Sequence, residues 1–216
     1  MVFIEPEGYT TEAPMKPPAM LELIKDRRVV RRFDPGQPVS AQALERILEA
    51  ALWSPLSIYH PLGRKFIALS GDERDRAVEI LLRDHTVLKY IRFRYDNALI
   101  GHDEEWSRMA EYFGKTLGEA PVVVVALVQR DPHVDRQAHN LGASWCAAQN
   151  MMLQAAAEGL GSGVVTLGSP KVQGDLIEHL GLDPDQWMLA CVVNLGYAAE
   201  TPMPLQRPKE GIEVRG

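Results

Sequence analysis

Apolar residues recur at helical spacing in the first quarter of the chain. The clearest set lies at intervals of three and four: Leu44, Ile47, Leu48, Ala51 and Leu52. This spacing predicts an amphipathic helix with one buried face. Ser40 is suited to cap its first turn, and Pro55 ends it. A shorter helix is expected before it, from Ala19 to about Arg27.

Short apolar runs with the length and composition of β-strands follow later in the chain. They are residues 65–70, 120–129, 162–167 and 187–197. The second run contains four consecutive valines, so both of its faces are predicted to be buried. It is therefore expected to be a central strand rather than an edge strand.

A long apolar helix is predicted over residues 142–159. Its sequence, GASWCAAQNMMLQAAAEG, is apolar on nearly every side, which is typical of a helix that is wholly buried. Gly159 is placed to end it in the left-handed conformation. Further helices are expected over residues 71–84 and 173–181. Helices and strands are thus interspersed, which indicates an α/β or α+β fold.

The chain is expected to contain one domain. Residues 1–18 are rich in proline, threonine and glutamate and are predicted to form an extended N-terminal arm, whereas residues 19–216 form the domain. Within it, residues 85–119 combine many charges with aromatic side chains. This region is a candidate helical excursion, lid or interface arm.

Charge and composition narrow the classes of function. The 216 residues carry a formal net charge of -6, which argues against general nucleic-acid binding. No secretory leader is visible, and no run approaches the roughly 18 apolar residues of a membrane span. Cys146 and Cys191 are expected to be free thiols, as in a cytoplasmic protein. The histidines form no metal-ligand pattern, so no metal site is expected.

Positive charge is concentrated in the stretch DRRVVRRFDP, Asp26–Pro35. It contains four arginines: Arg27, Arg28, Arg31 and Arg32. Guanidinium groups bind phosphate oxygens well, so the cluster is a candidate anion site. Solvated surface arginines are the alternative. If the stretch is extended, alternation sends Arg31 to the side of Val29 and places Arg28 with Arg32 on the other.

The glycine-rich stretch GLGSG, residues 159–163, lacks the setting of a dinucleotide-binding motif. Such a motif follows a strand and opens a helix, whereas this one follows a helix and precedes a strand. A helix stop with a tight turn is the simpler interpretation, although the glycines also permit a flat ligand to approach the backbone. No constellation for nucleophilic or acid–base catalysis is found, so no catalytic side chain is predicted.

Three segments, in order, carry the strongest functional signal. The first is RRVVRRF, followed by QPVS and LERILEAALWSP. The second is AAQNMMLQAAAEGLGSG, and the third is VVNLGYAAETP with LQRP in the tail. Together they span Leu21–Arg207 and resemble the signatures of the nitroreductase-like FMN-dependent oxidoreductase family.

The resemblance implies an α+β three-layer sandwich with a central, mainly antiparallel sheet and a long buried helix. It also implies a homodimer with two FMN molecules at the subunit interface. The positions that match FMN-contacting residues of the family fall in four groups: Arg27, Arg28, Val29 and Arg31; Pro55, Leu56 and Ser57, from the other subunit; Val165, Thr166 and Leu167, against the flavin ring; and Arg207 in the tail.

The resemblance also implies the chemistry. FMN would take hydride from NAD(P)H and pass electrons to an electron-poor small molecule, such as a nitroaromatic, quinone or enone. Two departures from the family pattern are present. Val29 replaces a serine, and residues 54–66, SPLSIYHPLGRKF, lack the usual Asn, Gln and Trp. The alternative is therefore a diverged, non-catalytic protein of the same fold that binds a flavin or deazaflavin.

Overall fold

The computed structural model describes residues 17–85, 89, 104–166, 168–202, 211 and 213–215. Its helices within these residues are α1 (Pro17–Asp26), α2 (Ala41–Leu52), α3 (Gly71–Leu82), α4 (Glu104–Thr116), α5 (Val134–Ala157) and α6 (Pro170–His179). Its strands are β1 (Arg64–Ser70), β2 (Val122–Gln129), β3 (Gly161–Val165) and β4 (Trp187–Gly196). Most of the predicted N-terminal arm and about half of the 85–119 region lie outside the described residues.

The described strands form one sheet in the order β1-β2-β4-β3, and every neighbouring pair is antiparallel. β2 lies between β1 and β4, and its residues from Val122 to Val128 are all buried. The prediction of a central strand buried on both faces is therefore confirmed. The α+β class with an antiparallel sheet is confirmed as well.

Alternate residues of β2 belong to two separate hydrophobic clusters. The odd-numbered residues from 123 to 127 pack with residues of α3, α4 and α6. The even-numbered residues from 122 to 126 pack with residues of α2 and α5. Because successive side chains of a strand point to opposite faces, helices pack on both sides of β2. Each fully buried valine contributes roughly 1.5–3 kcal/mol relative to exposure, so this strand is a large part of the core.

Local signals fix the ends of two helices as predicted. The Ser40 Oγ accepts a hydrogen bond from the Ala43 N–H at 3.2 Å and so caps α2. Gly159 has a φ of 74°, in the left-handed region that glycine adopts without strain, and it follows the end of α5. The apolar stripe of α2 is buried at Ile47, but Leu52 at its end is 64% exposed.

The helix α5 differs from its prediction in two respects. It begins at Val134 rather than near Gly142, because the polar residues before Gly142 continue the helix instead of forming a loop. It is also not wholly buried in the single chain, since Trp145 is 39% exposed and Cys146 is exposed. The buried residues of the helix, which include Ala148, Met151 and Ala155, pack against the sheet and α2.

Candidate functional site

The arginine-rich stretch runs from the end of α1 alongside the edge strand β3. The Val30 N–H donates a hydrogen bond to the Ser162 carbonyl at 2.9 Å, and the Phe33 N–H donates one to the Gly118 carbonyl at 2.9 Å. The stretch is thereby tied both to β3 and to the turn that follows α4. These bonds fix the backbone from which the arginine side chains project.

Two apolar side chains anchor the same stretch. Val30 and Phe33 are 3% and 1% exposed, and they form a small core cluster with Ala120. They are three positions apart, whereas the side chains of a regular strand alternate with a period of two. The alternation considered for the arginines therefore does not apply, because the stretch forms isolated bridges rather than a continuous ladder.

Arg31 is partly buried, and its Nη1 atom is shielded from solvent. Its Cζ lies 4.6 Å from the centroid of the Phe113 ring, within the range of a cation–π contact. Its backbone N–H donates a hydrogen bond to Glu200 Oε1 at 2.6 Å. Burial lowers the pKa of Arg31, and the charge of Glu200 opposes that shift. Its Nη1 is buried and has no hydrogen-bond partner within the described part of the chain.

A buried charged donor without an acceptor is costly, typically by more than the roughly 1–3 kcal/mol of a neutral group. Arg31 Nη1 therefore marks a position where an added acceptor, such as an oxygen of an anionic ligand, would be stabilising. An FMN-like molecule carries oxygen atoms that can accept such a hydrogen bond, so the Arg31 donor, which is unpaired among the described residues, fits a ligand of this kind.

The other arginines of the stretch have different surroundings. Arg27 and Arg28 are half-buried after α1, and Arg28 Nη1 donates to the Arg27 carbonyl at 3.1 Å. Arg32 is exposed, and its Cζ lies 5.7 Å from the centroid of the Tyr112 ring. Val29 is 37% exposed. The guanidinium groups thus do not form one uniform patch, as expected, and Arg32 belongs to the surface.

Glycine at position 163 makes room for Arg31. A Cβ added there would lie 2.6 Å from the Val30 carbonyl oxygen and 2.9 Å from Arg31 Nη1. A Cβ added at Gly161 would lie 2.8 Å from Val30 Cγ2. The chain's own arginine-rich stretch therefore approaches these glycines closely. Since β3 begins at Gly161, the setting is not that of a dinucleotide-binding motif, in agreement with the sequence pattern.

The predicted residues Val165 and Thr166 lie at the end of β3, two and three positions after Gly163. Val165 is partly buried against the core cluster of α3 and α6, whereas Thr166 is exposed. Val165 is therefore on the strand that the arginine-rich stretch follows, and Thr166 comes directly after that strand. Leu167 and Arg207, which were predicted for the same site, lie outside the described residues.

The predicted group Pro55, Leu56 and Ser57 lies after α2, next to the start of β1. Pro55 and Leu56 are exposed, and Ser57 is buried. Arg64 Nη1 holds this loop by donating hydrogen bonds to Ser54 Oγ at 2.6 Å and to the Pro55 carbonyl at 3.3 Å. Arg64 was not predicted, because a lone arginine at the start of a strand has no distinctive pattern.

This loop and the arginine-rich stretch lie at diagonally opposite corners of the sheet. β1 and β3 are its two edges. Arg64 is level with Val128 and, through it, with Met188, whereas Gly163 is level with Asn194. The two corners are three strands apart across the sheet and six positions apart along β4, from 188 to 194. At the usual spacings of a β-sheet, this corresponds to roughly 20–25 Å. The single chain therefore does not bring the two groups together.

Large apolar side chains are exposed around the loop after α2. We call them the apolar corner: Leu52, Trp53, Leu56, Ile58 and Leu62, which are 64%, 76%, 54%, 81% and 92% exposed. Further exposed apolar side chains lie on α1, at Met20, Leu21 and Ile24. Contiguous exposed apolar surface is typical of an interaction site, so these faces are candidates for contact with another chain.

A histidine–carboxylate pair ties the apolar corner to the start of α5. His60 Nε2 and Asp131 Oδ2 lie 2.8 Å apart, and the Asp131 carboxylate also accepts a hydrogen bond from the His133 N–H at 2.8 Å. The bond from His133, together with that from His60, lowers the pKa of Asp131. The pair joins two loops that are distant in sequence, which is why no local pattern predicted it.

The described residues contain neither a cluster of metal-ligating side chains nor a membrane-spanning helix. No three or more histidine, cysteine, aspartate or glutamate side chains among them are arranged to hold a metal ion. None of the described helices has both the length and the apolar character needed to cross a membrane.

Comparison with known sequences gives a family match over most of the chain. The sequence model of the Nitroreductase family matches residues 24–197. The match includes the arginine-rich stretch and all the strands described above. A search of curated proteins found no significant match.

Solved structures share this fold over nearly its whole length. A nitroreductase with bound FMN from Bacteroides fragilis is 22% identical, with a TM-score of 0.67 over 91% of this chain and 98% of that one. A nitroreductase with bound FMN from Desulfitobacterium hafniense is 20% identical, with a TM-score of 0.68 over 91% and 98%. The FMN-dependent nitroreductase NfnB from Mycobacterium smegmatis, in complex with NADPH, is 21% identical, with a TM-score of 0.68 over 92% and 99%.

Proposed function

Because the chain belongs to the nitroreductase family, we propose that it is an oxidoreductase that uses FMN. It would pass electrons from NAD(P)H to an electron-poor organic acceptor of the nitroaromatic, quinone or enone type. The observation that supports this most strongly is the partly buried guanidinium of Arg31, whose shielded Nη1 lacks a hydrogen-bond acceptor among the described residues. Structures of the same fold contain FMN or NADPH, which adds support.

The arginine-rich stretch suits the oxygen acceptors of FMN. The phosphate, the ribityl chain and the pyrimidine ring all present oxygens, and the guanidinium group offers several donors in a rigid plane. We assign Arg27, Arg28 and Arg31 to these oxygens and Arg207 to the phosphate. Val29 stands where the family has a serine, and its side chain offers no hydrogen bond. The arginines would therefore supply a larger share of the binding energy.

The end of β3 is assigned to the flavin ring. Val165, Thr166 and Leu167 would lie against it through their backbone, and an N–H there would hydrogen-bond flavin N5 and tune its electron acceptance. Support comes from Gly163 on the same strand, since the arginine-rich stretch reaches this part of β3.

We further propose a homodimer, with each subunit a three-layer sandwich and with each FMN site built from two chains. Arg64, which holds the loop of Pro55, Leu56 and Ser57, lies roughly 20–25 Å from Gly163 by strand spacing. The loop is thus far from the site of its own chain, and we assign it to a flavin held by the other subunit. The apolar corner and the exposed face of α1 favour such an association, because a partner chain would remove them from water.

Bound FMN would supply the electron transfer, and the protein would supply position and electrostatics. Arg31 would hold a positive charge next to the cofactor in a partly dehydrated setting. No side chain of the site needs to act as a nucleophile or a general acid. A cytoplasmic location is part of the proposal, and it is supported by the two free cysteines, Cys146 and Cys191.

The visible absorption spectrum of the purified protein tests the proposal. We expect a protein-bound flavin spectrum, either as purified or after FMN is added and the unbound FMN is removed. NADH or NADPH should bleach it without oxygen, and an acceptor should restore it. Arg31→Ala should weaken FMN binding by roughly 1.5–3 kcal/mol, the cost of one charge-assisted hydrogen bond. Arg32→Ala is the matched control and should leave binding unchanged. A wild-type protein that retains no flavin after incubation with excess FMN and removal of the unbound cofactor would refute the proposal.

Val29 and the altered loop of residues 54–66 favour one second candidate, a protein of the same fold that binds a flavin or deazaflavin without turnover. A bound flavin that neither NADH nor NADPH reduces would support this candidate. Reduction followed by reoxidation with a quinone or nitroaromatic would exclude it.

A further inference from the structure

Phe113 lies directly against the arginine that supports the proposed function. Its ring is 4% exposed, and its centroid lies 4.6 Å from Arg31 Cζ. Phe113 belongs to α4, a helix to which no ligand contact has been assigned. The face of an aromatic ring carries partial negative charge, so it attracts a guanidinium placed over it.

The surroundings of Arg31 restrict its side chain without using up its donors. The Phe113 ring lies on one side, and the Gly163 backbone lies close to Nη1. Glu200 accepts from the backbone N–H of Arg31, not from Nη1. A ring that contacts the face of a guanidinium takes up none of the N–H groups in its plane. Arg31 is therefore restrained by Phe113, while its Nη1 has no acceptor among the described residues.

We propose that Phe113 is a positioning residue for the flavin, acting through Arg31. An arginine that is already held in place loses less conformational freedom when it binds a ligand, so the affinity is higher than with a mobile one. This inference rests on the proposed FMN site and adds to it a residue from a different helix. It also makes the orientation of α4 a determinant of flavin affinity.

The contact between Arg32 and Tyr112 provides a matched control, because Tyr112 lies on the same helix as Phe113. Arg32 lies over Tyr112, with 5.7 Å from its Cζ to the ring centroid. Arg32 is exposed and has no assigned ligand. Loss of the Tyr112 ring therefore removes a similar contact from α4, one position away, without touching the proposed site.

The test is the dissociation constant of FMN for the whole 216-residue chain, measured by titration of flavin fluorescence. Phe113→Leu keeps an apolar side chain but removes the ring, and should weaken FMN about 3- to 30-fold. Phe113→Tyr keeps the ring and should restore affinity close to that of the wild type. Tyr112→Leu should leave it unchanged. Thermal unfolding of each variant checks that it is folded, and Phe113→Met replaces the leucine variant if that one is not.

A double variant separates positioning from general destabilisation. In an Arg31→Ala background, Phe113→Leu should cause no further loss of affinity, because its effect passes through Arg31. If the two losses multiply, the ring acts independently of Arg31 and the inference is overturned. Wild-type affinity in a folded Phe113→Leu variant would overturn it too, while leaving the FMN site standing. A wild-type protein that binds no FMN would overturn both.

Discussion

An alanine at position 163 would test how closely the arginine-rich stretch approaches β3. The added Cβ would lie 2.6 Å from the Val30 carbonyl oxygen and 2.9 Å from Arg31 Nη1. The first of these neighbours is backbone, and the adjacent Val30 N–H is bound to Ser162 at 2.9 Å. The carbonyl therefore cannot turn aside as a side chain would, and the stretch itself has to move.

The size of the effect follows from these contacts. Overpacking a tight site costs about 1–3 kcal/mol of stability. Displacing Arg31 Nη1 also removes one charge-assisted contact with the proposed flavin, worth about 1.5–3 kcal/mol. The second loss corresponds to FMN binding that is weaker by about 10- to 150-fold. Gly163→Ala should thus reduce flavin affinity by more than its effect on stability alone explains.

Urea unfolding measures the stability of Gly163→Ala, and flavin titration measures its FMN affinity. Gly174→Ala is the control, because its Cβ would meet Pro184 Cβ at an ordinary 3.9 Å. Within α6, this change should stabilise by up to about 1 kcal/mol and leave FMN binding unaltered. A Gly163→Ala protein with wild-type stability and wild-type affinity would refute the close approach of the stretch to β3.

Three further predictions concern stability and thiol chemistry. Ser40→Ala should lower the free energy of unfolding in urea by about 1 kcal/mol, because it removes the cap of α2, and Ser40→Asp should restore most of it. Hydrogen bonds from Arg46 lower the pKa of Glu158 from 4.5 to about 2. Since the pKa is lower in the folded protein than in the unfolded chain, the charged carboxylate stabilises the folded state. The stability difference between wild type and Glu158→Gln should therefore have its full size above pH 4.5 and vanish as the pH falls towards 2. A difference that does not change with pH would contradict this. Burial raises the pKa of the Cys191 thiol to about 12, so a Cys146→Ser variant should react with maleimide at neutral pH only after unfolding, and labelling of the folded variant would count against it.

The helices and strands predicted best are those whose burial or end points depend on their own residues and near neighbours in the sequence. The valines of β2 are apolar at every position, so only a central strand buries them. Ser40 and Gly159 act on the chain within a few residues of themselves. The start of α5 was missed because its polar first turns are compatible with both a loop and a solvated helix face, and the choice is made by the tertiary structure.

The sequence predicted which residues form the candidate site, but it did not predict how the residues around Arg31 are arranged. The burial of Arg31 depends on Phe113 and Gly163, which are about 80 and 130 positions away in the chain. The alternation expected for an extended stretch does not apply, because Val30 and Phe33, three positions apart, are both anchored in the core. Arg64 was missed because its partners, a hydroxyl and carbonyl groups of a loop, form no recognisable pattern.

The diagonal separation of the loop after α2 from the arginine-rich stretch has a consequence for how the protein would respond to dilution. In the proposed dimer, a dissociated chain retains Arg31 but loses the partner's share of the pocket, so cofactor loading and subunit association are thermodynamically linked. Added FMN would then tighten the dimer, and dilution would release FMN. A mixed dimer of an Arg31→Ala chain with a chain altered at Leu56 would carry one intact pocket and one with both defects. At FMN concentrations too low to fill a defective pocket, an equal mixture of the two variants that exchanges subunits at random would contain about half mixed dimers and regain about a quarter of the wild-type activity.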